Sequence, residues 1–147
     1  MPIPAFREDG WLPEGHHSAT WEEIANSFGG SEGSKRAVLV RKLLALRDGL
    51  LSFGVTGYFL LDGGFISAKE VPKDFDVLLV APSDVEALKN INSGLTRLLD
   101  AEIAEKEHGY SLFYSPENSP AIDIISGMWD ETKQVPKVRK GVIRVEI

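Results

Sequence analysis

The sequence contains no cysteine. That excludes a disulfide scaffold, thiolate zinc sites, cysteine-ligated iron–sulfur clusters and a cysteine nucleophile, and it agrees with a reducing compartment. No apolar run approaches the roughly 18 residues that span a bilayer. The opening segment MPIPAFREDGW has no apolar stretch of the secretory-signal kind. The expectation is a cytoplasmic protein with no membrane partner. Basic charge is also scarce, since 16 Lys and Arg against 22 Asp and Glu leave a formal charge of −6. A surface that holds a long nucleic acid through its phosphates needs the opposite balance. Only residues 133–144 are locally basic, with Lys133, Lys137, Arg139, Lys140 and Arg144 and no acid among them. That stretch reads as a solvated tail.

What remains is an ordinary globular composition. Of 147 residues, 43% are hydrophobic and 26% charged, and a chain of about 150 residues buries roughly two-thirds of its unfolded surface. Residues 1–19, rich in Pro and Gly, show no periodicity and read as an extended arm anchored by Phe6 and Trp11. Residues 20–147 read as one domain. Thr20-Trp-Glu-Glu23 is a capping box that opens a short helix to about Phe28. In residues 35–53 the apolar Leu39, Leu43, Leu46, Leu50 and Phe53 recur at spacings of four, three, four and three, which predicts an amphipathic helix ending near Gly54.

Tyr58–Leu61 and Phe75–Val80 are short, nearly continuous apolar runs, the pattern of strands covered on both faces. Ser83 with Glu86 reads as the cap of a helix whose stripe is Val85, Leu88, Ile91, Leu95 and Leu98 or Leu99, extending toward Ile103. Residues 110–114 and 121–126 read as two further strands, and residues 142–147 as a terminal one. The class is α+β, with a mixed sheet of four or five strands flanked by helices.

The chemistry concentrates in residues 60–80. A strand runs into Gly63-Gly64, and nine residues then separate Gly64 from Asp74. Asp74 and Asp76 open the next strand, and side chains at i and i+2 on a strand share a face. Paired carboxylates are tolerated best around a cation or when one is protonated, and hard oxygen donors favour Mg²⁺ or Mn²⁺. The glycine pair offers backbone that a phosphate can approach. Asp123 interrupts an apolar run, where an ionised carboxylate needs pairing or coordination. It would join the other two if its strand lay beside theirs.

Gly63-Gly64, the nine-residue spacer, Asp74-Phe75-Asp76 and a later acid at Asp123 resemble the nucleotidyltransferase superfamily of DNA polymerase beta. The small members of that superfamily include the minimal nucleotidyltransferases of toxin–antitoxin pairs. The longer frame, GWLPEGHHSATWEEI followed by LDGGFISAKEVPKDFDV, is similar to a bacterial group of uncharacterised nucleotidyltransferase-like proteins. The resemblance implies a nucleotidyltransferase-like fold and Mg²⁺- or Mn²⁺-dependent transfer of a nucleoside monophosphate from a nucleoside triphosphate to a hydroxyl. It implies that Gly63 and Gly64 hold the phosphates and that Asp74 and Asp76 bind the metal. Asp123 would join a second metal and help deprotonate the acceptor, with Lys69 touching a phosphate. The acceptor is a partner protein, an RNA end or a small molecule.

Serine is commoner than glycine at the position of Gly64. That departure, with the short chain beyond the core, supports the alternative of a catalytically inactive interaction module, antitoxin-like or a subunit. A metal-dependent phosphohydrolase would use the same acids on a water nucleophile. Each residue also has a plainer reading: a solvated strand start for Asp74 and Asp76, a salt-bridged or edge-strand acid for Asp123, and a tight turn for Gly63-Gly64. Adjacent His16 and His17 point apart on an extended arm and read as surface or packing residues. Trp11, Trp21 and Trp129 read as packing anchors.

Overall fold

The computed structural model describes residues 3–132 and 138–147. Lys133 and Lys137 of the basic stretch therefore lie outside the described residues. Five strands, β1 (Gly15–Ser18), β2 (Tyr58–Asp62), β3 (Asp76–Ala81), β4 (Ser111–Pro116) and β5 (Gly141–Glu146), form one mixed sheet in the order β1-β5-β2-β3-β4. The central strand β2 runs antiparallel to both β3 and β5, whereas β1 is parallel to β5 and β4 parallel to β3. This is an α+β architecture with an open sheet.

Alternation along the strands sorts the core into two parts. Phe59, Leu61, Val77, Leu79, Ile143 and Val145 face the larger one. There they meet α1 (Trp21–Phe28) and α2 (Lys35–Ser52), whose Leu39, Leu43, Leu46 and Leu50 are buried as their spacing predicts. Leu60, Leu78, Val80 and Val142 face the opposite side and pack with Trp129 of α6 (Pro120–Trp129). Both central strands are thus covered on two faces, which explains their nearly unbroken apolar runs.

Thr20 caps α1 as expected. Its hydroxyl accepts from the Glu23 N–H at 3.1 Å, and the Glu23 carboxylate accepts from the Thr20 N–H at 3.0 Å. That second bond is the leading cause holding the Glu23 carboxyl below its ordinary pKa. Thr20→Ala is expected to cost about 1 kcal/mol, measured as the loss of unfolding free energy in urea.

Three expectations need correction. Residues 121–126 are not a strand: they lie in α6, where Ser119 accepts from the Ala121 N–H and Pro120 sits in the first turn. Proline lacks the N–H that a first turn would leave unpaired, so Ser119-Pro120 is a helix start. Four apolar residues interrupted by one acid cannot by themselves distinguish a strand from a helix turn.

The long helix expected from Ser83 is instead α3 (Val85–Ile91), α4 (Ser93–Leu98) and α5 (Ala101–Ile103), broken first at Asn92 in extended conformation. Ser83 supplies its carbonyl to the Glu86 N–H rather than a hydroxyl cap, and Ile91 is exposed. The described part of the basic stretch, residues 138–144, is not a solvated tail either. Lys140 is buried, and the Arg144 guanidinium lies 3.7 Å from the centre of the Tyr58 ring.

Candidate functional site

The β2–β3 register places Asp62 directly opposite Asp76. Opposed residues of an antiparallel pair share a face, so these carboxylates stand side by side where β2 ends. Gly63 follows with φ +96°, and Gly64–Ile66 form a 3-10 turn. A Cβ added at Gly63 would lie 3.4 Å from Asp76 Oδ2. Any side chain there would crowd the carboxylate, besides being strained at that φ.

Lys140 enters from the far end of the chain, and its ammonium is ion-paired with Asp62. The two residues are only 4% and 5% exposed. Local pairing sets the lysine in place. The Thr132 N–H donates to the Val138 carbonyl at 2.8 Å, the Lys140 N–H donates to that of Asp130 at 2.7 Å, and the Gly141 N–H donates to that of Leu12 at 3.1 Å. A Cβ on Gly141 would come within 2.1 Å of the Pro13 carbonyl oxygen, so the arm fits against β5 only because that residue is glycine. The arm in turn brings Trp11 to the site, with Lys140 Nζ 5.0 Å from its ring centre.

These groups line one cavity of about 550 Å³. One end is polar, with Asp62, Asp76, Lys140, the Gly63-Gly64 turn and Ser111, which pairs with Asp76 across β3–β4. Phe113, Met128 and Trp129 supply apolar wall, and Glu131 and Thr132 complete the lining with Trp11.

The residues singled out in the sequence fall in different places. Gly63, Gly64 and Asp76 line the cavity. Asp74 is half-buried in the segment before β3 and is not on the wall. Asp123 is exposed on the first turn of α6 and borders a separate groove with Tyr58, Glu117 and Asn118. It is therefore neither a buried strand acid nor a neighbour of Asp76 in the cavity. Lys69 lies on the other side of Gly64: its Cδ is 3.1 Å from where a Gly64 Cβ would stand, and it lines a second cavity with Asp9 and Ala68. His17 is hydrogen-bonded to the Pro13 carbonyl, and His16 lies 3.8 Å from Asp130.

Sequence reading passed over Asp62, Lys140, Glu131 and the site role of Trp11 and Trp129. For Asp62 a signal existed, a carboxylate closing an apolar strand directly before two glycines. Lys140 and Trp11 carry no local signal, because only long-range packing brings them in.

Residues 4–146 match a family described as a family of unknown function, DUF6932. The chain belongs to that family. Comparison with curated proteins and with solved structures gives no match.

Among the described residues, no three acidic or imidazole side chains converge into a metal cage. Mg²⁺ does not require one, since it is commonly held by one or two carboxylates together with substrate phosphates and water. Asp62 and Asp76 fit that donor set, and Lys140 beside them suits a phosphate oxygen. Among the described residues, no helix is long and apolar enough to cross a membrane.

Proposed function

We propose that this cavity binds a nucleoside triphosphate with Mg²⁺ or Mn²⁺, and that the protein is a nucleotidyltransferase that passes the nucleoside monophosphate to a hydroxyl. The observation that carries the reading is the Asp62–Asp76 pair facing one cavity beside the Gly63-Gly64 turn. The spacing of Gly63-Gly64 and Asp74-x-Asp76, with its resemblance to the nucleotidyltransferase superfamily, supports the same chemistry and the corresponding fold.

Asp62 and Asp76 would hold the cation, which when bound neutralises phosphate charge and polarises the reacting phosphorus centre. Gly63 and Gly64 leave room for the phosphates against the backbone, and Lys140 balances charge at the same end. The acceptor hydroxyl oxygen forms a bond to the α-phosphorus, the bond to the β-phosphate oxygen breaks, and pyrophosphate leaves. Asp123 borders a separate groove and is not on the wall of this cavity. The role of taking the hydroxyl proton passes to Glu131, the remaining carboxylate on the wall. A partner protein or an RNA end is the proposed acceptor.

A second reading is favoured by one specific observation. Asp123 and Asp74 are both off the cavity wall, which suits an interaction module that binds nucleotide without transferring it. Calorimetric titration with each Mg–nucleoside triphosphate, on wild type and on Asp76→Asn, tests both. We expect Mg²⁺-dependent binding weakened at least tenfold in Asp76→Asn, with pyrophosphate released once an acceptor is supplied. Binding without pyrophosphate release, across protein, RNA and small-molecule hydroxyls, selects the second reading. No binding by folded wild type refutes both.

A further inference from the structure

The cavity joins two unlike surfaces. Its polar end carries Asp62, Asp76 and Lys140, and its apolar wall is made by Phe113, Met128 and Trp129. Phe113 and Met128 are 42% and 71% exposed, and both line the cavity. The Phe113 ring meets Trp129 edge-on at 5.8 Å between centroids. Phe113 is therefore braced by the indole while much of its own surface stays open. An aromatic ring held in this way, with a methionine beside it, favours a flat partner: rings prefer stacked or edge contacts, and the thioether makes favourable contacts with ring edges.

A volume of about 550 Å³ falls within the small-molecule range, and one cavity with both surfaces suits one ligand with both characters. An aliphatic tail would gain nothing from ring geometry, and a protein side chain would not bring the charge that the Asp62, Asp76 and Lys140 end is built to meet.

We propose that the Phe113, Met128 and Trp129 wall is a nucleobase subsite, with the base stacked on Phe113 and its phosphates directed to the Asp62–Asp76 end. This rests on the nucleotide reading above and deepens it by naming the residues that hold the base. Stacking is sequence-tolerant because every base has a π-face, so the subsite favours purines by ring area rather than by an edge code.

Tryptophan fluorescence reports on it directly. Trp11 and Trp129 line the cavity, whereas Trp21 packs edge-on against Phe59 and under Arg47, away from it. The probes are adenosine, guanosine, cytidine and uridine, the corresponding Mg–triphosphates, and Mg–tripolyphosphate, which has no base. The proteins are wild type, Phe113→Ala, Phe113→Trp and Met128→Ala. Their substitutions fall on exposed side chains, and circular dichroism checks each fold.

Phe113→Ala is expected to weaken nucleoside and nucleotide binding about tenfold and leave tripolyphosphate binding unchanged, with Phe113→Trp restoring affinity. Equal loss of tripolyphosphate and nucleotide binding, or no loss of either, overturns the subsite while the nucleotide reading stands. Nucleosides that bind through Phe113 without any tripolyphosphate binding uphold the subsite and overturn the metal–phosphate reading. Silence of folded wild type toward every probe overturns both.

Discussion

Lys140→Ala is expected to lower the unfolding free energy by about 3–5 kcal/mol, the usual consequence of breaking a buried ion pair from one side. The ammonium is paired with Asp62 in a setting where both residues are almost wholly buried. Alanine would leave the Asp62 carboxylate out of water and opposite a second carboxylate, Asp76. Lys140→Met separates the causes, because it keeps most of the stem's packing and removes only the charge. It should lose nearly as much.

The double variant Asp62→Asn/Lys140→Met neutralises both partners and should recover most of the loss, since replacing a whole buried pair by neutral groups is often close to neutral in stability. Urea unfolding of wild type, Asp62→Asn, Lys140→Met and the double variant gives the coupling. A loss under about 1 kcal/mol for Lys140→Ala would mean that the pair behaves as a solvated one.

The same variant links stability to function. If Asp62 and Asp76 are cation ligands, Mg²⁺ can take over part of the work of the missing ammonium. A ligand that binds only the folded state stabilises by RT ln(1 + [L]/Kd), about 1.4 kcal/mol at tenfold excess over Kd. Mg²⁺ should therefore stabilise Lys140→Ala more than wild type, and Ca²⁺, Na⁺ and Mg²⁺ should differ. An identical response to all three salts would point to screening alone.

What the sequence conveyed well was local. The α2 stripe is a repeat of apolar residues within one element, and its burial follows from the helical period alone. The Thr20–Glu23 box is complete within four residues. The central strands were legible because double coverage leaves few polar positions to confuse the pattern. The failures at Asp123 and in the 83–103 helix are also local, but there two patterns competed. The four apolar residues around Asp123, Ala121, Ile122, Ile124 and Ile125, fit either period, and the Ser119-Pro120 start signal decided for helix. Asn92 broke a stripe that hydropathy alone would carry through.

The site itself was half visible. Gly63, Gly64 and Asp76 belong to one hairpin and are near one another in sequence. Lys140 reaches Asp62 from 78 residues away, and Trp11 arrives on an arm held by β5. The tertiary fold, not any motif, selects which charged residue sits on a buried carboxylate. The same holds for Asp62: its partner is set by strand register, which is why Asp76 pairs with it rather than acting with Asp74 alone.

Replacing Arg36 is expected to produce the other large effect, on the order of 3 kcal/mol for Arg36→Met. From α2 its guanidinium spans five carbonyl oxygens. Nη1 donates to Phe28 at 3.1 Å and Phe65 at 2.6 Å, and Nη2 donates to Gly64 at 3.3 Å, Ser67 at 2.7 Å and Lys69 at 2.5 Å. Four of these carbonyls belong to the segment that follows the Gly63 turn, so one side chain sets its course. Burial pulls the guanidinium pKa down from its ordinary value without approaching neutrality near pH 7, since an arginine starts far above it.

Arg36→Lys preserves the charge but offers three donors from one point, and an ammonium cannot reach both ends of a fan that two separate nitrogens fill. It should recover only a minority of the loss. Hydrogen exchange should localise the damage. The amides of Ile66, Ser67 and Ala68, bonded to Gly63, Gly64 and Gly10, should lose protection in Arg36→Lys, while those of β2 and β3 keep theirs until global unfolding. Uniform loss across all of them would make Arg36 a general core residue. Selective loss would mean that Arg36 on α2 specifically holds the segment after the Gly63 turn in shape.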